Sequence, residues 1–130
     1  MNTPENTQAN DFLKKNALDP EITKTASGLQ FKIIKEGTGK TPDQNNIVTV
    51  HYIGKLVDGT VIDSSYDKGA PATFPANGVI PGWQEALVMM SEGSKWEIFI
   101  PPSLGYGERG IGPIPPNSTL IFEVELLGVK

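Results

Sequence analysis

Apolar and polar residues trade places with a period of two along most of this chain, and that rhythm restricts its fold more than any other feature. Val48, Val50, Tyr52, Gly54 and Leu56 fall on one face of a long predicted strand, with Thr49, His51, Ile53 and Lys55 on the other. Trp96, Ile98 and Ile100 alternate with Lys95, Glu97 and Phe99. Leu120, Phe122, Val124 and Leu126 alternate with Ile121, Glu123, Glu125 and Leu127. Leu29, Phe31 and Ile33 alternate with Gln30, Lys32 and Ile34 before a turn at Glu36-Gly37-Thr38-Gly39, and Asp58-Gly59 marks a hairpin returning through Val61-Ile62-Asp63. Strands covered on both faces read as unbroken apolar runs, so this pattern predicts an antiparallel sheet with one dry and one wet face. One segment keeps helical time instead. Pro81 suits a first helical position, where its missing N–H has no intrahelical partner. Trp83, Ala86, Leu87 and Met90 then recur at i, i+3, i+4 and i+7, giving about two and a half turns with one apolar face. The expected class is α+β, with that helix covering the dry face of the sheet.

A second, weaker helix precedes the sheet. Residues 1–10 are polar and expected to fray, while Asn10 to Leu18 has the makings of two turns started by an Asn10 or Asp11 cap and stopped by Asp19-Pro20. With 130 residues, 38% of them hydrophobic, the chain is sized for a single domain. A net charge of −4, from 11 Lys plus Arg against 15 Asp plus Glu, argues against a nucleic-acid or anionic-membrane surface. The sequence has no cysteine, which excludes disulfides, Cys-ligated zinc and thiol nucleophiles together. Met1 to Glu5 does not open a signal peptide, and no run approaches the ~20 apolar residues of a membrane span. As written the chain is expected to be soluble and cytoplasmic; trimmed of a leader, a periplasmic or cell-surface protein reads the same.

The search for chemistry returns mostly absences. His51 is the one histidine and reads as an ordinary strand residue facing solvent. No G-x-S-x-G, P-loop, G-x-G-x-x-G after a strand, or H-E-x-x-H occurs, so no metal, nucleotide or other cofactor is expected. Asp63-Ser64-Ser65 reads first as an Asx turn after a strand, and second as a carboxylate beside a cavity. Between the last two strands, Pro101 to Thr119 holds five prolines and four glycines, which predicts an ordered, stiffened loop carrying Gly105-Tyr106-Gly107. What remains is an aromatic and aliphatic set without a nucleophile: Tyr52, Ile62, Phe74, Val79, Ile80, Trp83, Tyr106, Ile114 and Phe122. Pattern alone leaves open whether it is plain core or the lining of a cavity.

At these residues the chain resembles a known family. Val50-His51-Tyr52-Ile53-Gly54, Asp58 to Ser65, Val79-Ile80-Pro81-Gly82-Trp83, Leu104-Gly105-Tyr106-Gly107 and Ile114 to Phe122 are similar, in order and spacing, to the FKBP-type peptidyl-prolyl cis-trans isomerases. The likeness covers residues 28–130, with 1–27 as an N-terminal extension containing the short helix. Phe12 to Leu29 further resembles the Mip-like bacterial branch, whose long linker and dimerisation region are not in this sequence, so a monomer is expected. The resemblance implies a half-barrel antiparallel sheet wrapped around the short helix, with a pocket between them. It implies Trp83 as the pocket floor, Tyr52, Phe122 and Ile62 as walls, and Val79 and Ile80 as a rim. Asp63 and Tyr106 are its polar groups, and Phe74 and Ile114 complete the substrate-binding set. Ile62 stands where the family often has an aromatic and Ala72 where it often has phenylalanine, and the Gly110 to Ile114 loop is one residue shorter than in many members. The implied partners are proline-containing polypeptides and macrolide inhibitors such as tacrolimus and rapamycin.

Such an activity fits the absences. Rotation about an X-Pro bond breaks no covalent bond, yet faces a barrier of about 20 kcal/mol. The expected function is catalysis of that rotation in protein folding. The alternative is a chaperone module that binds proline segments with little isomerase activity.

Overall fold

Every alternating segment enters one sheet. A computed structural model describes residues 11–130, so the frayed stretch expected at 1–10 and the Asn10 cap lie outside the described residues. The elements are α1 (residues 11–16), β1 (Thr23–Lys24), β2 (Gln30–Lys35), β3 (Ile47–Leu56), β4 (Val61–Ser64), β5 (Ala72–Pro75), α2 (Pro81–Leu87), β6 (Lys95–Ile100) and β7 (Leu120–Val129). The strands run in the order β1-β2-β6-β7-β3-β4, with β5 also on β3, and all pairings are antiparallel. The sheet thus begins before Gly28, inside the expected extension, because Thr23 and Lys24 pair with Phe31 and Gln30.

Register explains the dry face. Tyr52 lies opposite Val124, Gly54 opposite Phe122, and Phe122 opposite Ile98, so large side chains from three neighbouring strands point to the same side. The α2 helix seats its buried Gly82, Trp83, Ala86 and Leu87 there, and Met90, reached through the turn after the helix, joins the same core. The helix itself is shorter than its apolar stripe: it stops at Leu87, and Met89 and Met90 are bonded as turns to Ala86 and Leu87. Gly82 allows the close approach, since a Cβ there would lie 2.8 Å from Ile100 Cγ2.

The strand beside β3 is broken in two, and this positions the site. Val50 pairs with Ala72 and Ile53 with Ser64, so residues 65–71 leave the ladder between them. Backbone groups abandoned in a buried ladder must find other partners. Ser65, fully buried, supplies them: its N–H donates to the Tyr52 carbonyl at 2.9 Å and its hydroxyl accepts the Tyr52 N–H at 2.8 Å.

The outer face is not uniformly wet, contrary to the alternation. Phe99 and Ile121 point outward yet are buried at 5% and 7% exposure, and Phe12 of α1 meets Phe99 with ring centroids 5.9 Å apart. Gln30, also outward, is 2% exposed and bonds α1 twice, accepting from Asn16 Nδ2 at 2.8 Å and donating to the Leu13 carbonyl at 3.0 Å. Farther along β2, Ile33 and Ile34 are exposed, so Ile33 does not join the dry face that its alternation with Leu29 and Phe31 predicts.

Candidate active site

A cavity of about 520 Å³ opens between α2 and the dry face, lined by Tyr52, Asp63, Lys68, Ala72, Phe74, Gly78, Val79, Ile80, Trp83, Tyr106 and Phe122. That is ample room for a small cyclic group and its neighbours, within the ~300–1,000 Å³ common for ligand sites.

Its floor is aromatic and held edge to face. Trp83 makes near-perpendicular contacts with Tyr52 at 5.2 Å, Phe122 at 5.3 Å and Phe74 at 5.9 Å between centroids. These geometries suit ring quadrupoles and fix each ring against the next. Gly54 is required by this packing, because a Cβ there would lie 2.3 Å from Phe122 Cε1.

The rim is polar. Asp63 is part of β4 and does not form the turn favoured by the sequence pattern: its ladder pairing with Gly54 keeps it in the strand. Its carboxylate accepts the Tyr52 hydroxyl at 2.7 Å and the Ser64 N–H at 2.9 Å, and pairs with Lys68 Nζ at 3.0 Å. Burial pushes the Asp63 carboxyl up, but the Tyr52 hydroxyl and the Lys68 ammonium more than offset it and hold it below the usual carboxylate range. Burial, with the Asp63 bond behind it, pushes the Tyr52 phenol up, so Tyr52 remains a donor. Lys68, raised by its bonds to Asp63 and Tyr52, stays charged.

The other side of the mouth is backbone. Gln84 Nε2 donates to the Val79 carbonyl at 2.7 Å, while the Ile80 N–H makes no hydrogen bond among the described residues. Tyr106, 36% exposed, sits on the proline-rich loop, whose backbone is tied by internal hydrogen bonds. A 3₁₀ turn at Pro102–Leu104, the Gly107 N–H to Pro102 carbonyl bond at 2.9 Å, and the Asn117 N–H to Gly107 carbonyl bond at 2.8 Å stitch it together.

The cavity therefore brings together Tyr52, Asp63, Phe74, Val79, Ile80, Trp83, Tyr106 and Phe122. Ile62 and Ile114 do not line it; both are half-buried and packed against the core. Ile62 sits at the register shift between Val61 and Asp63 in β4, and Ile114 is bridged to Ile111. Lys68 was not among the sequence candidates. Its only signal is a lysine five residues beyond a carboxylate, uninformative until the break in the strand folds 65–71 back toward Asp63. His51 is also unlike its sequence reading: half-buried, it meets Ser65 Oγ through Nδ1 at 2.8 Å and stacks on Tyr66 at 4.5 Å. Among the described residues no three His, Asp or Glu side chains gather as a metal site, and no helix is long and apolar enough to cross a membrane.

An antiparallel half-barrel closed over α2, with an open aromatic cavity between them, defines the class of fold. Comparison with known proteins specifies the class. Residues 38–127 match the sequence model of the FKBP-type peptidyl-prolyl cis-trans isomerases, and the chain belongs to that family. It is 58% identical over 119 residues to the FKBP-type 22 kDa peptidyl-prolyl cis-trans isomerase of Escherichia coli K12, covering 91% of this chain and 58% of that protein. It is 52% identical over 120 residues to the peptidyl-prolyl cis-trans isomerase Mip of Coxiella burnetii, covering 92% and 52%. The crystal structure of FkpA from Escherichia coli superposes with a TM-score of 0.94 at 40% identity, over 97% of this chain and 59% of that one. These relatives support the Mip-like branch. The chain spans little more than half the length of the curated relatives it matches.

Proposed function

We propose that this chain is a peptidyl-prolyl cis-trans isomerase that accelerates rotation about X-Pro bonds in proline-containing polypeptides, with residues 28–130 as the catalytic domain. The observation that carries the reading is the open cavity of about 520 Å³ with Trp83 as its floor. A proline ring is apolar, compact and able to sit edge-on against an indole. Unaided, the X-Pro bond turns over in tens to hundreds of seconds. The planar amide owes its dipole to resonance, which the twisted amide lacks. Moving the bond from water into an aromatic cavity therefore favours the twisted form, a preference for the transition state over the ground state.

Named residues divide the work. Trp83, Tyr52, Phe74 and Phe122 hold the ring and exclude water. The Ile80 N–H, without a partner among the described residues, and the Tyr106 hydroxyl are donors for substrate carbonyls, fixing the chain on one side of the bond while the other rotates. Asp63, held ionised by Lys68 and Tyr52, places a negative charge beside the turning amide. The same cavity is proposed to accept tacrolimus and rapamycin, with Ala72 widening the wall between Lys68 and Phe74.

Exchange spectroscopy on an Ala-Pro or Leu-Pro peptide tests this, supported by a proline-limited refolding assay. Isomerisation predicts faster cis-trans exchange at catalytic amounts of protein. Shifted peptide signals without faster exchange would establish the proline-binding chaperone instead.

A further inference from the structure

We infer that His51 is a positioning residue for the mouth of the cavity: by bracing Ser65 from the outer face of the sheet, it fixes the excursion of residues 65–71 that presents Lys68 to Asp63. This deepens the isomerase reading and, for its rate measurements, rests on it.

The two sides of the strand break carry the argument. On the inner side, Lys68 Nζ reaches Asp63 at 3.0 Å and the Tyr52 hydroxyl at 3.4 Å. On the outer side, the His51 ring stacks on Tyr66 at 4.5 Å with 8° between planes, and its Nδ1 meets Ser65 Oγ at 2.8 Å. Ser65 and Tyr66 are the first two residues of the excursion, and Lys68 follows after Asp67. A hydroxyl has one proton and two acceptor sites. Ser65 Oγ already takes the Tyr52 N–H at 2.8 Å and lies 3.2 Å from the Tyr52 carbonyl, so the imidazole is the partner that completes its set. Either tautomer serves: Nδ1–H can donate to the hydroxyl oxygen, or bare Nδ1 can accept its proton. Without the imidazole, Ser65 Oγ keeps only its bonds to the Tyr52 backbone and Tyr66 loses its stacking face, so the outer side holds the excursion less firmly. His51 touches neither the cavity nor a substrate; it acts through Ser65 and Lys68.

The experiment compares His51→Leu, His51→Gln and His51→Asn. Asparagine returns a polar atom near the position of Nδ1, whereas glutamine keeps size and polarity but carries its amide too far out. Two readouts are used: the carbon-13 titration of the Asp63 carboxyl, and kcat/KM on an Ala-Pro peptide. In His51→Leu and His51→Gln the Asp63 titration is expected to move to higher pH as Lys68 drifts away. Their kcat/KM is expected to fall about two- to tenfold, the scale of one hydrogen bond's net worth. His51→Asn restores both. Added to Lys68→Met, His51→Gln causes no further loss, because both act through one ammonium. An Asp63 titration at its wild-type position in folded His51→Gln overturns the inference, as does His51→Asn failing to rescue. Should His51→Leu not fold, the Gln and Asn pair decides alone. Were the wild-type protein inactive, the isomerase reading would fall while the Asp63 titrations still judged the role of His51.

Discussion

The floor of the cavity and its rim obey different physics. Trp83, Tyr52 and Phe122 are at most 5% exposed and belong to the same core cluster that holds α2 on the sheet. Asp63, Lys68 and Tyr106 are partly or well exposed, and their places are set by a broken strand and a proline-rich loop. Floor residues therefore contribute to stability and to ligand grip through the same contacts, while rim residues work in near-solvent, where each interaction is worth little to folding. A cavity of this kind places its rigidity where water is absent and its tuning where water is present.

Trp83→Ala tests that separation hardest. Removing a buried indole costs about 3–5 kcal/mol, a fall in melting temperature of roughly 10–20 °C for a domain of this size. Proline-peptide binding should vanish with it. A variant that lost binding at unchanged melting temperature would detach floor from core and break the comparison. Gly54→Ala is the smaller probe of the same surface. Its new methyl meets the Phe122 ring at 2.3 Å, so Phe122 must move, at a cost of about 1–3 kcal/mol. Because the displaced ring is a cavity wall, peptide affinity should fall alongside thermal stability, measured by calorimetry and titration on one sample.

The same division decided what could be read from the sequence. Floor residues follow the period of two or of 3.6, so Tyr52, Trp83 and Phe122 are on the inner face by pattern alone; what pattern does not reveal is that the space between them is open. The rim depends on events that have no period. Asp63 looked like a turn residue because Ser64 and Ser65 follow it, and only the ladder with Gly54 keeps it in β4. Lys68 was invisible because its position depends on where a strand breaks. Ile62 and Ile114, carried over by resemblance, pack half-buried against the core as Phe74, Val79 and Ile80 do, and period alone does not tell which of these reach the open space. Gln30 shows the same limit on the outer face: a polar residue in a strand reads as wet, yet it is buried because α1 lies over it.

Rim predictions are smaller and should leave the fold alone. Tyr106→Phe removes a hydroxyl with no partner among the described residues, so the melting temperature should hold. A neutral hydrogen bond is worth net ~0.5–1.5 kcal/mol, so turnover should slow about tenfold or less. A thousandfold loss with the fold intact would move Tyr106 from tuning into the essential chemistry.

Lys68→Met should lower kcat/KM at neutral pH by about two- to tenfold, at least as much as His51→Gln, which acts through it, and its most telling change comes in acid. Asp63 is held below its ordinary value, so its pairing contributes stability above the unfolded aspartate value of about 3.9 and loses it as pH falls through the lower folded value. The wild-type protein should therefore keep an ionised Asp63 through mildly acid conditions. Without Lys68, burial, the largest single influence on Asp63 and one that pushes it up, is opposed by the Tyr52 hydroxyl and the Ser64 N–H alone. The Asp63 titration then moves to higher pH, and the acid limb of kcat/KM moves with it, while thermal stability at neutral pH changes little because the ion pair is exposed. Carbon-13 titration of the carboxyl beside the pH–rate profile checks both. If the carboxyl titration shifted and the rate profile did not, the charge of Asp63 would have no part in the rotation, and the rim's contribution would reduce to the donors at Ile80 and Tyr106.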